Sequence, residues 1–122
     1  MPGKEMDFER LTVYIDSLYD GNTEILDAIE QEAIRDQVPV IRKSTQSLLR
    51  LILEMKKPET VLEIGTAVGF SAVFFCTWSE AAVTTIEQYQ KRIPLAEQNF
   101  IRAGVEDRIT FQIGRASCRE RV

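Results

Sequence analysis

The chain has 122 residues, 44% of them hydrophobic and 28% charged, so it is one ordinary globular domain at most, built on a single apolar core. No apolar run approaches the ~18 residues that a membrane span needs, and Met1-Pro2-Gly3-Lys4-Glu5-Met6-Asp7 lacks the basic-then-apolar layout of a secretion signal, so a cytoplasmic protein without a membrane segment is expected. There is no histidine, which excludes Ser-His-Asp and Cys-His nucleophilic catalysis and His-ligated metals. Fifteen basic against nineteen acidic residues give −4, which argues against bulk electrostatic nucleic-acid binding but leaves room for a local basic patch. Cys76 and Cys118 are too few for a disulfide framework and read as reduced thiols.

In chain order, Phe8, Leu11, Ile15, Leu18 and Tyr19 recur at spacings of three and four and predict an amphipathic helix over 8–19, ended by Asp20-Gly21-Asn22. Asn22 or Thr23 can cap a second helix over 24–36, with Ile25, Ile29 and Ala33 on one face. Val38-Pro39 imposes an extended residue before the proline. A third helix follows over 41–55, carrying Leu48, Leu51, Ile52 and Met55 and ending before Lys56-Lys57-Pro58.

After Pro58 the period changes. Thr60 to Gly65 is a short apolar run closed by glycine, as in a buried parallel strand. A helix over 71–78 and a strand over 82–86 come next. The helix over 90–103 stripes Ile93, Ala96, Phe100 and Ala103, tolerates Pro94 in its first turn and is stopped by Gly104. Arg108 to Phe111 opens a third strand. Three helices followed by β-α-β-α-β predict an α/β fold, the front half of a doubly wound sheet: a helical cap over 1–57 and half of a ligand-binding domain over 58–112.

The informative constellation is Glu63-x-Gly65-x-x-x-Gly69 after the first strand, with Glu87 ending the second, about 20 residues after Gly65. Ligands of such sheets bind beyond the C-terminal ends of the strands. Gly65 permits a sharp turn and leaves no Cβ between loop and ligand, Gly69 permits close helix–strand approach, and an acidic side chain at Glu87 suits the two hydroxyls of a ribose. A dinucleotide would want Gly-x-Gly-x-x-Gly, but Ala67 and Phe70 occupy the second and third glycine positions. Glu63 also favours a cationic ligand over a pyrophosphate. S-adenosylmethionine, with an ammonium, a sulfonium and no phosphate, fits better than NAD. A nicotinamide-dependent oxidoreductase fragment and a non-catalytic nucleoside-binding half-domain are the rival readings.

Val61-Leu62-Glu63-Ile64-Gly65-Thr66-Ala67-Val68-Gly69-Phe70-Ser71-Ala72 resembles the first motif of the S-adenosylmethionine-dependent O-methyltransferases related to catechol and caffeoyl-CoA O-methyltransferases. Thr85-Ile86-Glu87 resembles the second motif, and Ala96 to Ile109 the helix-to-third-strand segment, so the resemblance spans residues 8–111. Within that family the chain is most similar to the bacterial branch that includes the tRNA 5-hydroxyuridine methyltransferase. The resemblance implies a Rossmann-like methyltransferase fold and S-adenosyl-L-methionine as cofactor. It also implies contacts residue by residue: Ile41 covering the cofactor, Glu63 and Gly65 on its methionine and ribose side, Ala67 and Gly69 completing the loop, Ser71 on the methionine carboxylate and Glu87 on the ribose. It implies as acceptor 5-hydroxyuridine in tRNA or, alternatively, a small catechol-like or caffeoyl-CoA-like phenol, and a homodimer for the complete protein.

Ile113 to Val122 resembles the in-frame translation of a short-read sequencing adapter, which makes 113–122 a non-native tail by expectation and Gln112 its first doubtful residue. Without Arg115, Arg119, Arg121 and Glu120 the chain is more acidic still. Where the family has Gly-Asp-Ala after the third strand, this chain has Gly114-Arg115-Ala116. The family's divalent metal, magnesium by expectation, is held beyond the end of this chain. Glu97, Glu106 and Asp107 read as solvated surface, and neither a metal ligand nor a catalytic residue is assigned here. The chain on its own is expected to transfer no methyl groups. Trp78, Tyr89 and Phe100 read as packing aromatics rather than base-stacking platforms.

Overall fold

The computed structural model describes residues 7–19 and 21–114. Three helices lead: α1 (Phe8–Ser17), α2 (Glu24–Arg35) and α3 (Lys43–Lys56). Then β1 (Thr60–Ile64), α4 (Phe70–Trp78), β2 (Ala82–Glu87), α5 (Ile93–Arg102) and β3 (Ile109–Ile113) alternate. The strands form one parallel sheet in the order β1-β2-β3, with Glu63 beside Thr85 and Thr85 beside Phe111. The fold is the α/β half-sheet predicted.

Local chemistry sets the boundaries. Asp7 caps α1 by accepting from the Arg10 N–H at 3.1 Å, and Thr23 caps α2 by accepting from Leu26 at 3.2 Å. Of the two capping candidates, Asn22 is used elsewhere. Helix α3 begins at Lys43, two residues later than predicted, because Ile41 belongs to an irregular segment whose carbonyl is held by a side chain of α3. Pro94 sits in the first turn of α5. Gly104 ends it at φ +70, with Gly104 N–H on Ile101 and Val105 N–H on Phe100, the paired bonds of a Schellman stop.

The core lies on one face of the sheet. Val83 on that face, Leu26, Ile29 and Ala33 of α2, Leu53 of α3, Phe70, Val73 and Phe74 of α4, and Ala96 and Phe100 of α5 form one buried cluster. Arg108 braces it by donating to the carbonyls of Cys76, Ser79 and Ala81 at 2.8–2.9 Å, which satisfies the end of α4. The other face carries Leu62 and Ile64, each 64% exposed. The stripe predicted to pack α3 is also out of the core: Leu48, Leu51, Ile52 and Met55 are exposed, while Gln46 and Leu53 are buried. Helix α1 buries none of its residues. No helix is long and apolar enough to cross a membrane among the described residues.

Candidate cofactor site at the strand ends

Strand alternation places Glu63, Thr85 and Glu87 on the core face, at the C-terminal ends of β1 and β2. Thr85 is fully buried. Its hydroxyl donates to Glu63 Oε1 at 2.8 Å and lies 2.6 Å from the Thr66 hydroxyl, so with Glu63 ionised the proton order runs Thr66 to Thr85 to Glu63. Burial pushes the Glu63 carboxyl up to about 7; hydrogen bonds from Thr85 and Ser71 pull it down, and the nearby Glu87 charge pushes it further up. A carboxyl held near neutrality by desolvation is poised to receive a cation, which would return the charge that burial withholds.

Glu87 is 8% exposed. Its Oε1 accepts from the Ala67 N–H at 2.8 Å, and its Oε2 from Gln88 and Tyr89, each at 3.0 Å. Two carboxylate oxygens offer about four acceptor sites, so one remains for a hydroxyl with all three backbone bonds intact.

The loop between β1 and α4 turns on three left-handed residues: Gly65 at φ +93, Ala67 at +50 and Gly69 at +89. A Cβ on Gly65 would meet nothing within 4 Å, so this glycine opens onto free space. A Cβ on Gly69 would lie 2.6 Å from Cε1 of Phe100. Gly69 thus serves the approach of α5, the helix after β2, rather than the strand contact predicted. Asn99 fixes the same loop by donating to the Val68 carbonyl at 2.8 Å.

Two clefts meet at Gly65. One, about 340 Å³, is lined by Pro39, Val40, Ile41, Ala67 and Ser71. The other, about 200 Å³, is lined by Ile64, Ile86, Glu87, Gln88 and Gly114. Of the seven residues predicted for the cofactor, Ile41, Gly65, Ala67, Ser71 and Glu87 line these two clefts, while Glu63 in β1 and Gly69 at the start of α4 line neither. Sequence reasoning missed Thr66, Thr85 and the Pro39-Val40 wall. Thr85 was detectable as the core-facing neighbour of Glu87 two residues away on β2. A larger cleft of about 570 Å³ lies at the opposite end of the sheet, between Leu53, Lys57, Glu59 and Trp78. It stands at the N-terminal ends of the strands and lacks the glycine turn, so volume alone does not make it the ligand site.

Among the described residues no group of three His, Cys, Asp or Glu side chains could hold a metal ion. Glu97, Glu106 and Asp107 are exposed, as predicted. Phe100 is buried, and Trp78 is part-buried with Arg50 stacked 3.5 Å from its ring centre. Tyr89 departs from the prediction: it is 50% exposed, because the chain leaves the sheet after Glu87 before re-entering helix. Cys76 is a buried free thiol that burial pushes up. The expectations for Arg115, Ala116, Cys118 and the adapter-like stretch from Arg115 to Val122 lie outside the described residues.

The model of the O-methyltransferase family matches residues 16–119. Over 107 residues the chain is 32% identical to a catechol O-methyltransferase of Mycobacterium tuberculosis, covering 84% of this chain and 49% of that protein. A catechol O-methyltransferase of Niastella koreensis is 25% identical over 113 residues, 89% of this chain and 51% of that one. Among solved structures, the O-methyltransferase TomG of Streptomyces achromogenes, in complex with SAM, superimposes with a TM-score of 0.75 at 26% identity, over 92% of this chain and 53% of that one. The chain spans about half the length of the relatives it matches.

Proposed function

The chain belongs to the O-methyltransferase family, and on that premise we propose that it is the cofactor-binding half of an S-adenosylmethionine-dependent enzyme that methylates a hydroxyl. The observation that carries the reading is the convergence of Glu63, Gly65 and Glu87 where β1 and β2 end. Glu63, desolvated and backed by Thr85, receives an ammonium. Gly65 admits the ligand to the backbone, and Glu87 accepts from ribose. The SAM complex of TomG supports this choice of cofactor. S-adenosylmethionine, when bound, supplies an electrophilic methyl group. These residues bind and orient it.

For the whole protein we favour a small catechol-like phenol as acceptor. The two relatives named catechol O-methyltransferases support it, and so does the charge of −4. Hydroxyuridine in tRNA stands second, resting on the bacterial-branch resemblance alone. The described carboxylates do not form a divalent-metal site. Homodimerisation and a cytoplasmic setting belong to the same proposal for the whole protein. The chain alone is expected to bind the cofactor without turnover.

Titration calorimetry of the 122-residue chain with S-adenosylhomocysteine tests the reading. Saturable one-to-one binding that Glu87→Ala abolishes supports it. Absence of binding by the wild-type chain, or binding that survives Glu87→Ala unchanged, removes it.

A further inference from the structure

Gln46 of α3 is fully buried, and its amide uses every hydrogen-bonding position it has. Nε2 donates to Glu30 Oε2 and to the Ile41 carbonyl, both at 2.8 Å. Oε1 accepts from the Tyr19 hydroxyl at 2.8 Å and from Asn22 Nδ2 at 2.9 Å. The orientation is fixed chemically, because the Ile41 carbonyl can only accept and must face the nitrogen. Asn22 extends the cluster: its Oδ1 accepts from the indole N–H of Trp78, the last residue of α4, at 3.0 Å.

The bond to Ile41 is the one that reaches the site. Pro39, Val40 and Ile41 form the wall of the 340 Å³ cleft that faces the Gly65 loop and Ser71. They belong to neither helix nor strand. Among the described residues, the bond from Gln46 is the sole hydrogen bond that any of these three makes. Apolar contact of Val40 and Ile41 with the core gives the wall cohesion, but such contact is non-directional and does not fix its distance from the loop.

We infer that Gln46 is a positioning residue for the cofactor cleft: through the Ile41 carbonyl it sets the 39–41 wall, and through Asn22 and Trp78 it references that wall to α4, whose first turn carries Ser71. This rests on the reading that the cleft binds S-adenosylmethionine, and it assigns a binding role to a side chain that does not touch the ligand.

An amide–carboxylate swap isolates the Ile41 bond. In the double variant Glu30→Gln with Gln46→Glu, the residue at 46 still accepts from Tyr19 and Asn22. Residue 30 now donates to it, and with the carboxyl at 46 ionised, as calorimetry repeated from pH 7 to pH 9 checks, only the Ile41 carbonyl loses its donor, facing a carboxylate oxygen instead. Calorimetry with S-adenosylhomocysteine is run on the wild-type chain, the swap, Gln46→Met and Tyr19→Phe, with thermal unfolding followed in parallel. The expected result is binding at least tenfold weaker in the swap and in Gln46→Met. Tyr19→Phe, which removes one bond of the same cluster but keeps the one to Ile41, stays within twofold of wild type even where its unfolding midpoint falls. Should the swap fail to fold, Gln46→Met against Tyr19→Phe carries the comparison. Wild-type affinity in the folded swap or in Gln46→Met, or equal losses in Tyr19→Phe and Gln46→Met, overturns the positioning role while leaving the cleft assignment standing. No binding by the wild-type chain overturns the cleft assignment, and the positioning role with it.

Discussion

The Ala67 N–H donates to Glu87 Oε1 at 2.8 Å from a residue held at φ +50, so one carboxylate at the end of β2 stabilises a left-handed turn in the loop that follows β1. For a residue with a Cβ that conformation costs about 1–2 kcal/mol, and a charge-assisted hydrogen bond is of a size to offset it. Glu87 therefore shapes the loop before any ligand arrives.

Replacing Glu87 with Gln tests that double duty. The amide keeps one acceptor oxygen and turns an NH₂ group toward either Ala67 or the Gln88 and Tyr89 amides. The expected result is a loss of about 1–3 kcal/mol of stability together with at least tenfold weaker S-adenosylhomocysteine binding. Thermal unfolding and calorimetry check the two losses separately. A variant with wild-type stability would show that the carboxylate does not hold the loop.

The two loop glycines should fail differently. Gly69→Ala puts a methyl 2.6 Å from the Phe100 ring, which is itself buried and packed edge-on against Phe111 at 5.5 Å between centroids. Phe100 cannot yield cheaply, so stability should fall by about 2–4 kcal/mol from clash and left-handed strain combined. Gly65→Ala carries only the strain of φ +93, about 1–2 kcal/mol, but its methyl enters the space where the two clefts meet. It should stay folded and lose S-adenosylhomocysteine binding. Equal destabilisation of the two variants would contradict this division of labour.

Much of this was legible in the sequence, for a physical reason. The β1 glycine turn, Glu63 and Glu87 are local features whose spacing along parallel strands fixes their place at the sheet's end, and Gly104 marks the end of α5 through a backbone restriction that needs no tertiary context, whereas the start expected at Gln90 falls at Ile93, after a 3-10 turn over Gln90–Arg92. What escaped was decided by packing between distant segments. Gln46 looks like a surface residue in a helical pattern, and only Tyr19, Asn22, Glu30 and Ile41 around it make it core. Leu48, Leu51, Ile52 and Met55 look like a core stripe, yet no described element covers them. Tyr89 has the helical spacing of a packing residue, whereas the chain around it is an extended exit from β2.

The uncovered sheet face predicts association. Leu62 stands 64% exposed on β1, an edge strand paired on one side among the described residues, beside Thr84. Exposed apolar strand edges recruit further chains. Sedimentation velocity of the 122-residue chain should show concentration-dependent self-association, reduced by Leu62→Lys without a lower unfolding midpoint, because that side chain points away from the core. If Leu62→Lys leaves association unchanged, the apolar surface of α1 and α3, with Phe8 72% and Met55 75% exposed, becomes the source instead.

Glu63 makes both stability and binding depend on pH, in opposite directions. Burial lifts its carboxyl from an ordinary 4.5 to about 7 in the folded chain. Between those values the folded state holds a proton that the unfolded state has released, so the contribution of this group is complete below about 4.5 and is lost as pH rises through about 7. The fall is on the order of 1–3 kcal/mol, the lower figure reflecting the carboxyl's residual exposure. A ligand ammonium beside Glu63 favours the ionised form, so S-adenosylhomocysteine should bind more tightly as pH rises from 5 to 8. Below pH 7 binding should release close to one proton, measurable as a dependence of the calorimetric heat on the buffer's ionisation enthalpy. Glu63→Gln should flatten both profiles and weaken binding at pH 8 more than at pH 5. Proton uptake on binding, or a pH profile of affinity that survives Glu63→Gln, would move the ammonium away from Glu63.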